Sequence, residues 1–182
     1  MANYYTEKEV SLKMDEIVNR VAKSPLVSID LEDYLHKGEI TIFDLKNVLY
    51  EGMILKEKDF RDFIKENNWS NYLDKNVGLI CSADAIVPTW AYMLLVTKLK
   101  EFANTVTYGD EDAVEKAMID QAILKCLSEQ DLEEKKVVIK GCGNIKNIEY
   151  AYTSITEKLY AKVSSLMYGE PCSTVPIFKR KK

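Results

Sequence analysis

Residues 77–110 read VGLICSADAIVPTWAYMLLVTKLKEFANTVTYGD, and residues 137–170 read VVIKGCGNIKNIEYAYTSITEKLYAKVSSLMYGE. With an offset of 60 the two stretches align without a gap. Val77 falls on Val137, Ala91-Tyr92 on Ala151-Tyr152, Lys98-Leu99 on Lys158-Leu159 and Tyr108-Gly109 on Tyr168-Gly169, which makes seven identities in 34 positions. Leu79 also falls on Ile139, Trp90 on Tyr150 and Asp110 on Glu170. Each stretch opens and closes on a short apolar run of strand character, at 77–81 and 105–108 and at 137–140 and 165–168. Helical segments lie between, at about 89–102 and 148–162, and another at about 112–127 joins the copies. In the last copy Ile148, Tyr152, Ile155 and Leu159 fall on one helical face. Alternating strands and helices of these lengths predict parallel strands with right-handed crossovers. The identities coincide with the element boundaries, which favours a duplicated βαβ unit over two units made alike by packing rules alone.

The front third is less regular. Residues 1 to about 10 look loose, and Met14, Ile17, Val18, Val21 and Ala22 mark one face of a helix that Pro25 stops. Residues 26–31 alternate like a strand, 40–43 form a second candidate strand, and Gly38 supplies a turn between them. Residues 44–55 read equally as helix or strand. Phe60, Phe63 and Ile64 mark one face of a short charged helix at about 56–67. The expected fold is α/β, a mostly parallel open sheet with a duplicated β-loop-α-β unit and an N-terminal α+β extension. Residues 1–70 form the extension, as a cap or added edge, and residues 71–182 the duplicated domain.

Composition narrows the function classes. At 182 residues the chain can hide roughly 70% of its unfolded surface. Its 47% hydrophobic and 30% charged residues are an ordinary globular balance. A net charge of -4 and a single basic cluster, Lys179-Arg180-Lys181-Lys182, argue against nucleic acid, the tail reading as solvated. No apolar run reaches the ~18 residues a membrane span requires, and the first residues carry no signal-peptide pattern. The expectation is a cytoplasmic protein whose four cysteines are thiols, ligands or reactive groups and not disulfides.

Three cysteines stand out by position. Cys81 ends the first strand of the first copy, Cys142 follows the matching strand of the second, and Cys172 follows the last strand. Ligands of open α/β sheets bind beyond the carboxyl ends of strands where strand order reverses. With a strand order of 2-1-3-4, the strands ending at Cys81 and Cys142 are neighbours and the three thiols converge. Thiolates suit zinc, copper(I) or iron–sulfur clusters, and a loop leading into a helix N-terminus favours nucleophilic or persulfide chemistry. Asp84 would be a fourth metal ligand beside Cys81, Cys142 and Cys172. Against this stand the absence of a CxxC pair and the habit of free cysteine to serve as a small buried hydrophobe. Cys126, among Ile123, Leu124 and Leu127, reads as core.

Other motifs are weaker. His36, the single histidine, sits in the polar turn Leu35-His36-Lys37-Gly38 and reads as an exposed turn residue, so triad chemistry lacks a base. Gly141-Cys142-Gly143 after a strand would begin a nucleotide fingerprint, but Lys146 occupies its third glycine position. Pro88 opens a helix, Trp90 and Tyr92 read as core or interface, and Asp110 and Glu170 each follow a turn glycine.

Four stretches resemble a known bacterial family, domain of unknown function 2480, found largely in Bacteroidetes: residues 26–34, residues 52–61 (GMILKEKDFR), residues 81–92 (CSADAIVPTWAY) and residues 169–176 (GEPCSTVP). The resemblance covers the chain from about Met14 onward, and the Cys81 and Cys172 motifs are its most specific parts. It implies no particular activity. It does imply an association with iron–sulfur cluster assembly of the SUF type, and so iron–sulfur assembly proteins as partners.

Three functions follow as expectations. The first is a thiol-site protein of iron–sulfur or sulfur metabolism, holding a metal, a cluster or a persulfide at Cys81, Cys142 and Cys172. The second is a non-catalytic adaptor or scaffold with structural cysteines. The third is a small-molecule enzyme with one activated cysteine, Cys81.

Overall fold

Both copies of the repeat fold as strand, helix, strand. The computed structural model describes residues 26–141, 143–170 and 172–181. In chain order the strands are β1 (Leu26–Ile29), β2 (Ile40–Asp44), β3 (Asn76–Ile80), β4 (Thr105–Tyr108), β5 (Lys136–Ile139), β6 (Ser165–Glu170) and β7 (Ser173–Lys179). The helices are α1 (Glu57–Glu66), α2 (Thr89–Leu99), α3 (Glu111–Glu129) and α4 (Ile148–Tyr160). Short 3-10 turns occupy Leu31–Tyr34, Leu45–Val48 and Trp69–Tyr72. The helix expected from Met14 to Ala22, and Cys142, lie outside the described residues.

The α/β class and the mostly parallel pairing agree with the sequence. The strands are divided between two sheets, however. The first has the order β1-β5-β6-β7 and the second β2-β3-β4, and every pairing is parallel except β6 with β7. The expected order, with the strands ending at Cys81 and Cys142 side by side, is therefore corrected. β3 is flanked by β2 and β4, and β5 by β1 and β6. The reason is that β1 and β2, both from the front of the chain, each take one central strand as a partner. Residues 26–44 thus supply an edge strand to each sheet.

The 60-residue offset extends to backbone detail. Asp74 (φ 57°) and Glu134 (φ 55°) both take the left-handed conformation, as do Gly109 and Gly169. Asp74 N donates to Phe102 O as Glu134 N does to Lys162 O, and Asn104 N donates to Lys75 O as Ser164 N does to Lys135 O. The buried stripe of α2 is Ala91, Leu95 and Leu99, and that of α4 is Ala151, Ile155 and Leu159. This refines the helical face read from the sequence. Ile148 is exposed, because α4 begins there and its first residue lies ahead of the stripe that meets the sheet.

Each sheet has its own core. In the first, Ile29, Val137, Ile139 and Leu166 pack against Ile119, Ile123 and Cys126 of α3 and the α4 stripe. In the second, Phe43, Val77 and Leu79 pack against the α2 stripe, Phe60 and Ile64 of α1, and Trp69. Each fully buried Leu, Ile or Phe side chain contributes about 1.5–3 kcal/mol. α3 joins the halves, packing on all three strands of the second sheet and on α4 and the Leu31–Tyr34 turn. Asp110 starts it by accepting from Ala113 N at 3.2 Å.

Candidate functional site

The carboxyl edges of the two sheets carry equivalent groups. Asp30 follows β1 and Asp44 ends β2, and each accepts the backbone N–H two residues on, from Glu32 at 3.2 Å and from Lys46 at 3.0 Å. Each then reaches the loop after the central strand. Asp44 accepts from Ser82 N at 3.0 Å and Ser82 Oγ at 2.5 Å, and Asp30 faces Lys140 Nζ at 3.4 Å. On the far side stand paired tyrosine rings, Tyr92 on Tyr108 at 5.4 Å and 82°, Tyr152 on Tyr168 at 5.2 Å and 84°. The repeat thus keeps its edge-to-face pair in both copies.

The copies differ at the strand end. Gly141 packs under Tyr168, whose ring and hydroxyl lie 2.7 Å from where a Cβ would stand, and Tyr152 OH donates to Lys140 O at 2.8 Å. The equivalent of Gly141 is Cys81. A side chain at that place goes with an exposed Tyr108. Burial raises the Tyr92 pKa, with Cys81, Tyr108 and Asp44 adding electrostatically.

Cys81 is partly exposed, with its Sγ 3.7 Å from Ala83 O, and Asp84 is exposed three residues on. Cys172 is exposed in the turn between β6 and β7, on the other sheet, and Cys126 is buried in α3, where burial raises its pKa. Among the described residues no group of three or more His, Cys, Asp and Glu side chains is placed to hold a metal ion.

The second sheet's carboxyl edge has an apolar rim. Tyr50 bridges Ile54, and Ile54 bridges Ile86 in the loop after β3. Tyr50, Met53, Ile54 and Ile86 are all exposed, Ile86 to 92%, and exposed Met93 and Tyr108 follow at the same edge on α2 and β4. Backbone bridges hold these loops, so the rim is built and not incidental.

A family model described as "Protein of unknown function (DUF2480)" matches residues 15–180. The chain belongs to that family. No curated protein and no solved structure gave a match. Among the described residues of this DUF2480 protein, no helix is long and apolar enough to cross a membrane.

Sequence reasoning missed several of the DUF2480 chain's polar anchors. His36 is not a free turn residue. Its Nε2 lies 2.9 Å from Asp74 Oδ1 and its Nδ1 3.1 Å from Asn76 Oδ1, while the fully buried Asn76 donates to Gly38 O at 2.8 Å. These partners are 38 and 40 positions away, beyond the reach of local pattern. Asp30 and Asp44 had a faint signal, since Ile29-Asp30-Leu31 is echoed by Phe43-Asp44-Leu45.

Asp44 supports a pH prediction. Burial works against its charge, but the Ser82 hydroxyl, the Ser82 and Lys46 N–H groups and the Lys46 ammonium outweigh burial and lower its pKa. A carboxyl lowered by folding contributes stability above its unfolded value of ~3.9 and loses it as pH falls through the lower folded value. Urea midpoints taken from about pH 5 to about pH 2 should therefore fall more steeply for the wild type than for Asp44→Asn. Parallel slopes would show that these hydrogen bonds do not hold the ionised form.

Proposed function

We propose that this protein is a non-catalytic adaptor that binds a protein partner through the apolar rim at the carboxyl edge of β3 and β4. The observation that carries this reading is the bridged cluster of Tyr50, Ile54 and Ile86. A contiguous exposed apolar patch marks a recognition surface, whereas scattered single apolar residues do not. The polar groups behind it, Asp44 and Ser82, bond to each other, as expected of a scaffold holding a loop. The partner implied by the family resemblance is an iron–sulfur assembly protein. A cytoplasmic setting agrees with the free thiols Cys81, Cys126 and Cys172.

A thiol-site reading is kept as second. It rests on Cys81 standing at the carboxyl end of a central strand, with Cys142 one position beyond its equivalent in the aligned sequence of the other copy. A metal, an iron–sulfur cluster or a persulfide would be its cargo, and Asp84 an added ligand.

One anaerobic experiment separates the two. The tagged full chain is used to capture partners from the cells that naturally produce it, and the captured proteins are identified. Wild type is compared with Ile54→Asp/Ile86→Asp and with Cys81→Ser/Cys142→Ser/Cys172→Ser. The aspartates replace exposed residues and leave the fold intact, but they place charge in a dry contact. Loss of ~2 kcal/mol or more, about 30-fold in affinity, is expected for hot-spot positions. The serine variant should bind like wild type. A folded serine variant that loses the partner, or stoichiometric metal or sulfide in wild type alone, would move the reading to the thiol site.

A further inference from the structure

A cleft of about 530 Å³ opens between the two halves, away from the apolar rim. Its walls are the segment from Leu35 to Ile40, which leads from the first 3-10 turn into β2, and the residues Asn144 to Lys146 between β5 and α4. Met118 and Ile119 of α3 form its floor. Its volume falls in the ~300–1,000 Å³ range of small-molecule sites, and it lies beyond the carboxyl ends of β1 and β5, where ligands of parallel sheets bind.

The walls are held before any ligand arrives. Glu32 Oε2 accepts from Asn144 N at 3.2 Å. Glu115 on α3 accepts from Lys146 Nζ at 2.8 Å and from Asn147 Nδ2 at 2.9 Å. His36 is anchored between Asp74 and Asn76, as described above.

The charges of the lining then sort themselves. Glu115 and Lys146 neutralise each other. Glu32 and Lys37 do not. Among the described residues the Glu32 carboxylate accepts from the Asn144 N–H and meets no cation, and Lys37 has no carboxylate partner. An unpaired anion and an unpaired cation thus border one apolar floor. A purely anionic ligand would meet Glu32 unfavourably, and a purely cationic one would meet Lys37. A zwitterion satisfies both through charge-assisted hydrogen bonds.

We infer that this cleft binds a free apolar α-amino acid, with its ammonium on Glu32, its carboxylate on Lys37 and its side chain on the floor formed by Met118 and Ile119. This goes beyond the adaptor reading and does not depend on it. Glu32 and Lys37 both stand on the segment that links β1 to β2, so the ligand would bind along that connection.

The test is calorimetric titration of the full chain with L-leucine and L-phenylalanine, beside 4-methylvalerate and 3-phenylpropionate, which lack the ammonium. The amino acids should bind with a Kd of ~1 mM or tighter and the acids at least ~10-fold more weakly, the loss of one hydrogen bond to a charged group. Lys37→Gln and Glu32→Gln should each weaken amino-acid binding by ~10-fold or more. Lys37 is exposed and Gln at 32 still accepts from Asn144 N, so both variants keep the fold, as circular dichroism would verify. Absence of binding by either amino acid at ~10 mM, equal binding of the acids, or unchanged affinity in folded Lys37→Gln would each overturn the inference.

Discussion

Gly78→Val should destabilise the protein by about 3 kcal/mol or more, the upper part of the range for overpacking a filled core. Gly78 lies in the middle of β3, between Ile42 of β2 and Thr107 of β4, on the face that α3 covers. A Cβ there would stand 2.5 Å from Gly109 O, 2.7 Å from Ile42 Cδ1 and 2.9 Å from Val114 Cγ2. The first neighbour is backbone and is fixed in place, because Gly109 N itself donates to Leu79 O at 2.9 Å. The valine is not foreign to the architecture, since the equivalent residue of the other copy is Val138, fully buried. What differs is the close seating of α3 on the second sheet. Urea denaturation monitored by circular dichroism reads the effect. A midpoint within experimental error of wild type would mean that α3 does not rest on this face.

Trp69→Ala should be of similar size, about 3–5 kcal/mol, as expected for an aromatic residue removed from a core. The Trp69 ring meets Phe43 at 6.1 Å, Phe63 at 5.8 Å and Tyr72 at 5.9 Å, and its Nε1 donates to Ile64 O at 2.8 Å. It therefore fastens α1 and the Trp69–Tyr72 turn onto β2. Trp69→Phe keeps an aromatic ring but gives up the hydrogen bond and part of the indole's volume, so it should cost about 2–3 kcal/mol, less than alanine. Equal losses for alanine and phenylalanine would show that the hydrogen bond, and not the ring packing, is what matters.

The sequence was most informative where local period and duplication agreed. Strands near 77–81, 105–108, 137–140 and 165–168, and the helices between them, are where they were expected, shifted by one to three residues at most ends. These segments are apolar and bounded by glycine, proline or polar turns, so their state is set locally. β7 was not visible in advance, because Pro176 argues against a strand. It is tolerated there because β7 is an edge strand, and Pro176 faces Met167 beside an irregularity in the pairing. The separation into two sheets was equally hidden, since a strand's composition does not name its partner. For the candidate site, Cys81 at the end of a central strand was readable, and the paired tyrosines were present as unexplained identities. The role of His36 depends on partners dozens of residues away and had no local signature, and those of Asp30 and Asp44 had only the faint echo of Ile29-Asp30-Leu31 in Phe43-Asp44-Leu45. The apolar rim was hidden for a related reason, since Ile54 and Ile86 look like core until the bridges place them outside.

The pairing of β1 has a consequence for how the chain is made. β2 meets a partner soon, Ile40 lying against Asn76, whereas Leu26 of β1 lies against Lys136. Everything from β2 to α3 is nested between the two. On a ribosome adding ~5–20 residues per second, the second sheet is complete while β1 still has no partner, and roughly 2–6 s pass before that partner, β5, has been added. The earliest of the described strands to be synthesised is thus among the last to be covered. During that interval its open hydrogen-bonding edge is the part of the nascent chain most exposed to pairing with the wrong neighbour.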